Sequence, residues 1–232
     1  MGLTTAATIY DALENPTAAT DCRRRAAALK EAINTHLYDA EKGLYFEGLN
    51  TPTREERLWW FLPQNIEKRY FRRHSNVLAA LFGVHPDPAA LLTRTLEDDT
   101  LGYYQPYFAH FVLEAVRRCG LTHRFTRAIL EDWKEPIRQC PKGLPEGFYK
   151  QNDYPFDHSH GWGGTPLYTL PMALAGLEIL EPGMGRIRLS PTLLGLTHAT
   201  VEIPFPHGML RIEMQEGKEP IITLPDGVIL EE

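Results

Sequence analysis

At Gly183 the spacing of apolar residues along the chain changes from three and four to two, and no other feature constrains the fold as much. Before it, apolar stripes recur at helical spacing. Asn15-Pro16 supplies a cap and a first-turn proline, and Cys22, Ala26, Leu29, Ile33 and Leu37 follow as a one-sided stripe that packs on a shorter helix near Thr5 to Leu13. Ser75 reads as the cap of a helix carrying Val77, Leu78, Leu81 and Phe82 and stopped by Gly83, and Asp87-Pro88 opens another through Leu91, Leu92, Thr95 and Leu96. Phe108, Phe111, Val112, Ala115, Val116 and Cys119 form a wide stripe closed by Gly120. Phe125, Ala128, Ile129 and Trp133 follow on the next helix. Short links between such helices make neighbours antiparallel, so the repeated unit is an αα-hairpin, used three times. Glu41 to Arg73 fits neither period: KGLYFEG reads as an extended turn segment and the rest is too mixed to assign.

A loop from Gln139 to Gly164 leads to a last helix, which starts at Thr165-Pro166 and runs through Leu170, Leu174 and Leu177, with Pro171 kinking it or shifting its start. Beyond Gly183 the two-residue alternation takes over. Ile187 and Leu189, then Val201, Ile203 and Phe205, then Leu210, Ile212 and Met214 are separated by Pro and Gly turns, and Pro225-Asp226-Gly227 punctuates the end. The expected architecture is mainly α over residues 1–182, with about seven helices, and a small antiparallel β-sandwich-like module of about five strands over 183–232.

Composition excludes several function classes. A formal charge of -6, with no basic cluster beyond Arg23-Arg24-Arg25 and Arg72-Arg73, gives no attraction to nucleic acid or anionic membranes. Cys22, Cys119 and Cys140 are odd in number and have no C-x-x-C spacing. They argue against a disulfide framework and fit a reducing compartment, Cys22 and Cys119 as small core residues. The start MGLTTAATIY has no basic region followed by an apolar one, and no window reaches the about 18 apolar residues of a membrane span, so a cytoplasmic location is expected.

Chemistry concentrates in Leu144 to Gly164, LPEGFYKQNDYPFDHSHGWGG. Glu146 stands between Pro145 and Gly147, where the backbone aims its carboxylate. Asp153 and Asp157 follow, and His158, His160 and Trp162 stand just before the last helix. Glycoside hydrolysis needs two carboxyl groups flanking the scissile bond, and Glu146 is a candidate for one. Axial C–H faces of a pyranose pack on indole while its hydroxyls need rigid donors and acceptors, which His160 and Trp162 supply. The plainer readings are a solvated loop acid, a core indole and a core or capping imidazole. Asp157-His158-Ser159-His160 also permits a metal, but H-x-H lacks a nearby third ligand, so no metal and no cofactor is expected. Ser159 has no nucleophile elbow. Of the remaining aromatics, most of Tyr103 to Phe108 is core; Trp59 or Trp60 lines a sugar cleft or is core, and Glu55-Glu56 before them is a solvated face.

These residues carry a family resemblance. EKGLYFEG at 41–48, HSNVLAALFG at 74–83, YYQPYFAHFVLEAVRRCG at 103–120, PEG around Glu146, SHGW at 159–162 and AGLEILEPGMGRIRLSPTLLGLTHATVEIPFPHG at 175–208 occur in the order found in bacterial α-L-rhamnosidases. The chain resembles the C-terminal part of that family, six-hairpin glycosidases with an (α/α)6 toroid followed by a β-sandwich domain. The resemblance implies inverting hydrolysis of a terminal deoxyhexose, with Glu146 as general base and His160 in contact with the sugar; Trp162, His158 and Trp60 are the further substrate-binding candidates. Glu146 stands here in P-E-G, where many members have an aromatic before the acid.

The departure lies upstream. The family's general acid belongs to an earlier acidic, Arg-containing segment, and nothing before Ile9 corresponds to it; about seven helices stand where six hairpins need twelve. Three readings of the chain follow: a C-terminal fragment, a truncated product, or half of a site completed by a homo-oligomer or a complementing chain covering the open half toroid. A non-catalytic carbohydrate-binding or structural remnant is the alternative to an enzyme, and a metal-dependent hydrolase comes third.

Overall fold

A computed structural model describes residues 1–48, 69–139, 141–148 and 159–231. Among them are eight α-helices and eight β-strands, in two compact units, Met1–Tyr103 and Tyr104–Glu232.

In the first unit α1 (Gly2–Ala12) packs on α2 (Pro16–Leu37), and α3 (Arg73–Leu81) on α4 (Pro88–Glu97). Proline-led helix starts behave as expected. Asn15 Oδ1 accepts from Ala18 N at 3.2 Å and Asp87 Oδ1 from Ala90 N at 2.9 Å, satisfying amides that a helix start leaves unpaired. The stripe on α2 departs from expectation. Only Ala19 and Cys22 are buried on this helix, while Ala26, Leu29, Ile33 and Leu37 line an open apolar cleft of about 760 Å³. Helical spacing shows that a face is apolar, and the fold decides whether anything covers it.

The segment KGLYFEG supplies β2 (Leu44–Tyr45) of a small hairpin whose other strand is β1 (Tyr38–Asp39), turned at Gly43 with φ 65°. Asn76, fully buried on α3, locks it: its Nδ2 donates to Tyr45 O and Arg72 O, each at 2.9 Å, and its Oδ1 accepts from Tyr45 N at 2.7 Å. Ser75 is not the cap of α3. Phe71 bridges Phe46 and Arg72 bridges Gly102, which keeps both residues extended, so the helix begins at Arg73 and Ser75 falls within its first turn. Arg73 is almost fully buried; its Nη2 donates to Asp98 O at 3.1 Å and its guanidinium lies 4.6 Å from the Tyr103 ring centre.

The second unit opens with the hairpin of α5 (Pro106–Arg118) and α6 (Thr122–Leu130), linked through Gly120 at φ 69°. A 3-10 turn at Glu131–Trp133 and a further short helix, α7 (Lys134–Gln139), follow, so Trp133 lies on a turn and not on a helix stripe. The last helix, α8 (Pro166–Ala175), runs through Pro171 without interruption and ends at Gly176 in the left-handed region, φ 56°.

Two sheets follow. One has the order β3 (Glu178–Ile179), β4 (Arg186–Arg188), β8 (Ile229–Glu231), and the other β5 (His198–Phe205), β6 (Gly208–Gln215), β7 (Ile221–Thr223). β3 precedes the change of period at Gly183, and β4 pairs β8 in parallel, Ile187 opposite Leu230, where antiparallel pairing was expected. Every other ladder is antiparallel among the described residues. Val201, Ile203 and Phe205 on β5 and Leu210, Ile212 and Met214 on β6 all point inward, as the alternation requires. They form one core with Ile187, Leu177 and Met172, Leu174 and Ala175 of α8. Helix and sheets thus bury each other's apolar faces within this unit.

Candidate functional site

Glu146 and His160 lie on two short segments that the backbone ties together. Leu144 and Ser159 form a parallel bridge, and His160 N donates to Leu144 O at 3.1 Å. A 3-10 turn at Gly161–Gly164 then passes beneath Pro145. A Cβ on Gly163 would stand 2.4 Å from Pro145 O, so only glycine permits this approach. Trp133 Nε1 donates to Gly163 O at 2.7 Å, and its ring packs edge-on against Phe148, 4.7 Å between centres. Phe148 N donates to Gln105 Oε1 at 2.7 Å. Segment 144–148 is therefore held from both sides by groups that a surface loop lacks.

The result is a short row of groups. His160 Nε2 lies 3.9 Å from Glu146 Oε1, and both side chains are about one-third exposed, at 31% and 38%. Trp162 stacks on the His160 imidazole, 4.6 Å between centres and 20° between planes, and remains 43% exposed. Tyr107, at the start of α5, lies 5.2 Å from Trp162 and is more than half exposed. A carboxylate, an imidazole and an accessible indole face thus share one surface, which suits a ligand presenting both hydroxyls and C–H faces.

Of the residues singled out from sequence, the structure brings Glu146, His160 and Trp162 together. His158, Trp60, Trp59, Glu55, Glu56, Asp153, Asp157 and Cys140 lie outside the described residues. Among the described residues no three His, Cys, Asp or Glu side chains group to hold a metal ion, and no helix is long and apolar enough to cross a membrane. Gln105, Trp133 and Tyr107 were not expected at the site: Trp133 read as a helix-stripe residue, and Gln105 and Tyr107 fell in an aromatic cluster read as mostly core. Gln105 carried one signal: it stands in the cap position before Pro106, where its side chain gives its helix no cap bond and serves Phe148 instead. Neither the apolar cleft of the first unit nor the polar groove beside α5 and α8 is lined by Glu146 or His160. The site is recognised by its chemistry.

No protein-family model matches the sequence, and no curated protein does. Solved structures do. A GH78 family rhamnosidase of Bacillus sp. GL1 superimposes with a TM-score of 0.77 at 21% identity, covering 99% of this chain and 26% of that one. The α-L-rhamnosidase of Aspergillus terreus matches with a TM-score of 0.72 at 14% identity, over 97% of this chain and 26% of its own. That of Dictyoglumus thermophilum matches with a TM-score of 0.72 at 16% identity, over 97% and 25%. At these identities the likeness is one of fold: paired helices leading into a β module, the class expected from sequence, spanning about a quarter of the length of the solved rhamnosidases it matches.

Proposed function

We propose that this chain forms one side of an active site of α-L-rhamnosidase type, with residues 1–182 contributing helical hairpins of a partial toroid and 183–232 the β domain. Glu146 is the general base of an inverting hydrolysis. It takes a proton from a water as that water attacks the anomeric carbon and the bond to the leaving oxygen breaks. A second carboxyl, roughly 6.5 to 9.5 Å from Glu146 in an inverting site, protonates the leaving oxygen. It is supplied from outside these residues, by further polypeptide or by a complementing chain. His160 hydrogen-bonds a sugar hydroxyl and Trp162 packs on the ring's apolar face, and His158 and Trp60 belong to the same proposal. We also read the protein as cytoplasmic, on its odd and unspaced cysteines.

The observation that carries this reading is the Glu146 to His160 approach, 3.9 Å, with the Trp162 face stacked beside it, on a loop pair pinned by Trp133 and Gln105. The test is titration of the intact chain with methyl α-L-rhamnoside, together with an aryl α-L-rhamnoside hydrolysis assay. The expected outcome is weak binding that His160→Ala and Trp162→Ala each reduce about tenfold, a loss equivalent to roughly one good contact, with little or no turnover. Hydrolysis at an ordinary rate that persists in Glu146→Gln sinks the assignment of the base. Binding that survives both aromatic variants sinks the sugar site.

A further inference from the structure

A second concave site lies in the second unit, independent of the function proposed above. It is a groove of about 770 Å³, lined by the last turn of α5, the start of α6, the inner side of α8 and the stretch Ser190 to Thr192 after β4. That volume falls within the roughly 300 to 1,000 Å³ of small-molecule sites. Its walls are fixed by hydrogen bonds to main-chain carbonyls. Arg117 Nη1 donates to Leu177 O at 3.0 Å, Ser190 N to Ala175 O at 3.2 Å and Thr192 N to Leu174 O at 2.8 Å. At Gly176 a Cβ would stand 2.2 Å from Ser190 O, so the two walls meet as closely as main chains can. A groove held in this way exists before any ligand arrives, which lowers the ordering cost of binding.

The charges in the lining cancel. Glu114, 8% exposed, accepts from Arg117 Nε at 3.3 Å, Arg117 Nη2 at 3.1 Å and Arg118 Nε at 3.4 Å, and Glu178 is paired with Arg188 at 2.6 Å. Burial disfavours the Glu114 carboxylate, but the Arg117 hydrogen bond and the nearby charges of Arg117, Arg118 and His110 outweigh it and hold its pKa below the ordinary value. Among the lining residues two guanidiniums, Arg117 and Arg118, stand with two carboxylates, Glu114 and Glu178, so the lining itself carries no net formal charge, while Arg188 outside it also holds Glu178. Fixed donors and acceptors remain. The Arg118 side chain is 59% exposed, and His123 is exposed with Nδ1 3.5 Å from Thr192 Oγ1. Beside them stands the Tyr168 ring, 53% exposed, supplying one accessible aromatic face among polar groups.

We propose that this groove binds a neutral sugar, its C–H face on Tyr168 and its hydroxyls on Arg118, His123 and Thr192, at a site separate from Glu146 and His160. The test uses the intact chain, isotope-labelled, with cellobiose as the neutral probe and inorganic phosphate as the anionic one. Cellobiose is expected to shift the amide resonances of segments 117–123 and 190–192. Tyr168→Ala and Arg118→Leu, both at exposed positions, are each expected to weaken binding about tenfold, and His160→Ala to leave it unchanged. Absence of shifts in those segments overturns the proposal, as does binding indifferent to both groove variants. Phosphate binding tighter than cellobiose overturns the neutral-ligand class. Shifts confined to segment 159–164 and abolished by His160→Ala overturn the groove while supporting the site around Glu146.

Discussion

α2 and α5 carry the same kind of apolar stripe, yet α2 buries two of its 22 residues and α5 eight of its 13. Leu29 on α2 is 54% exposed and Leu113 on α5 is 5% exposed. The hydrophobic contribution of a residue follows from the area its neighbours remove from water, and a periodic pattern states only the demand for such neighbours. In α5 the demand is met by α6 and α8, and in α2 half of it faces an open cleft.

The sharpest way to break this comparison is to make the same deletion in both helices. Leu113→Ala is expected to cost about 3 kcal/mol of unfolding free energy, since the buried site keeps a cavity, and Leu29→Ala less than about 0.5 kcal/mol. Chemical denaturation with matched slopes measures both, and equal costs would show that the cleft on α2 is closed in solution. A step smaller is Gly163→Ala, expected to cost about 2 kcal/mol because the added Cβ overlaps Pro145 O, and to abolish sugar binding by moving Glu146. Binding at wild-type strength in that variant would show that the loop pair does not position the carboxylate.

The caps of the two helices differ as well. Asn15→Ala removes a bond inside the start of α2 and is expected to cost about 1 kcal/mol. Gln105→Ala is expected to cost a similar amount, about 1 kcal/mol, through Phe148, and to perturb the resonances of segment 144–148 while leaving the start of α5 intact. Perturbation confined to α5 would refute the role given to Gln105.

The smallest effects are expected in the pH dependence, where the two units carry opposite signs. Glu114 in the second unit has a folded pKa below the ordinary 4.5, so its stabilisation is present above that pH and is lost as pH falls through the folded value. Glu47 in the first has a pKa raised by burial, against the opposing charge of Arg72. Its folded state holds the proton more tightly, so stability is lost as pH rises through 4.5 toward the folded value. Thermal midpoints between about pH 7 and pH 4 should therefore show the wild-type advantage over Glu114→Gln shrinking on acidification, and the balance against Glu47→Gln moving in the wild type's favour. Parallel trends would contradict one of the two environments.

Much of this was legible in the residues. Asn15, Asp87, Pro16 and Pro88 set helix starts through bonds within three residues, and the alternation in β5 and β6 set which side faces inward, because both are local consequences of backbone geometry. Ser75 misled because a cap residue is effective only where the chain before it is free to end a helix, and at Arg72 the bridge to Gly102 had already decided the start. The parallel β4 and β8 pairing was invisible, since the two strands lie far apart in sequence and nothing in either records its partner. Glu146, His160 and Trp162 were legible as one group suited to a sugar, from residue type and their crowding in 144–164, but their approaches of 3.9 Å and 4.6 Å were not, because these depend on the bridge between Leu144 and Ser159.

By itself, then, the sequence determined the paired helices, the caps at Asn15 and Asp87, the change to a two-residue period and the loop in which proton-transfer and stacking groups crowd. These depend on interactions within a few residues. Only the tertiary structure decided that α5 is enclosed and α2 half open, that Trp133 and Gln105 clamp the segment carrying Glu146, and that Gly163 and Gly176 let main chains meet. Each of those depends on which distant surfaces come within contact, and contact energies fall away over a few ångströms that sequence spacing does not encode.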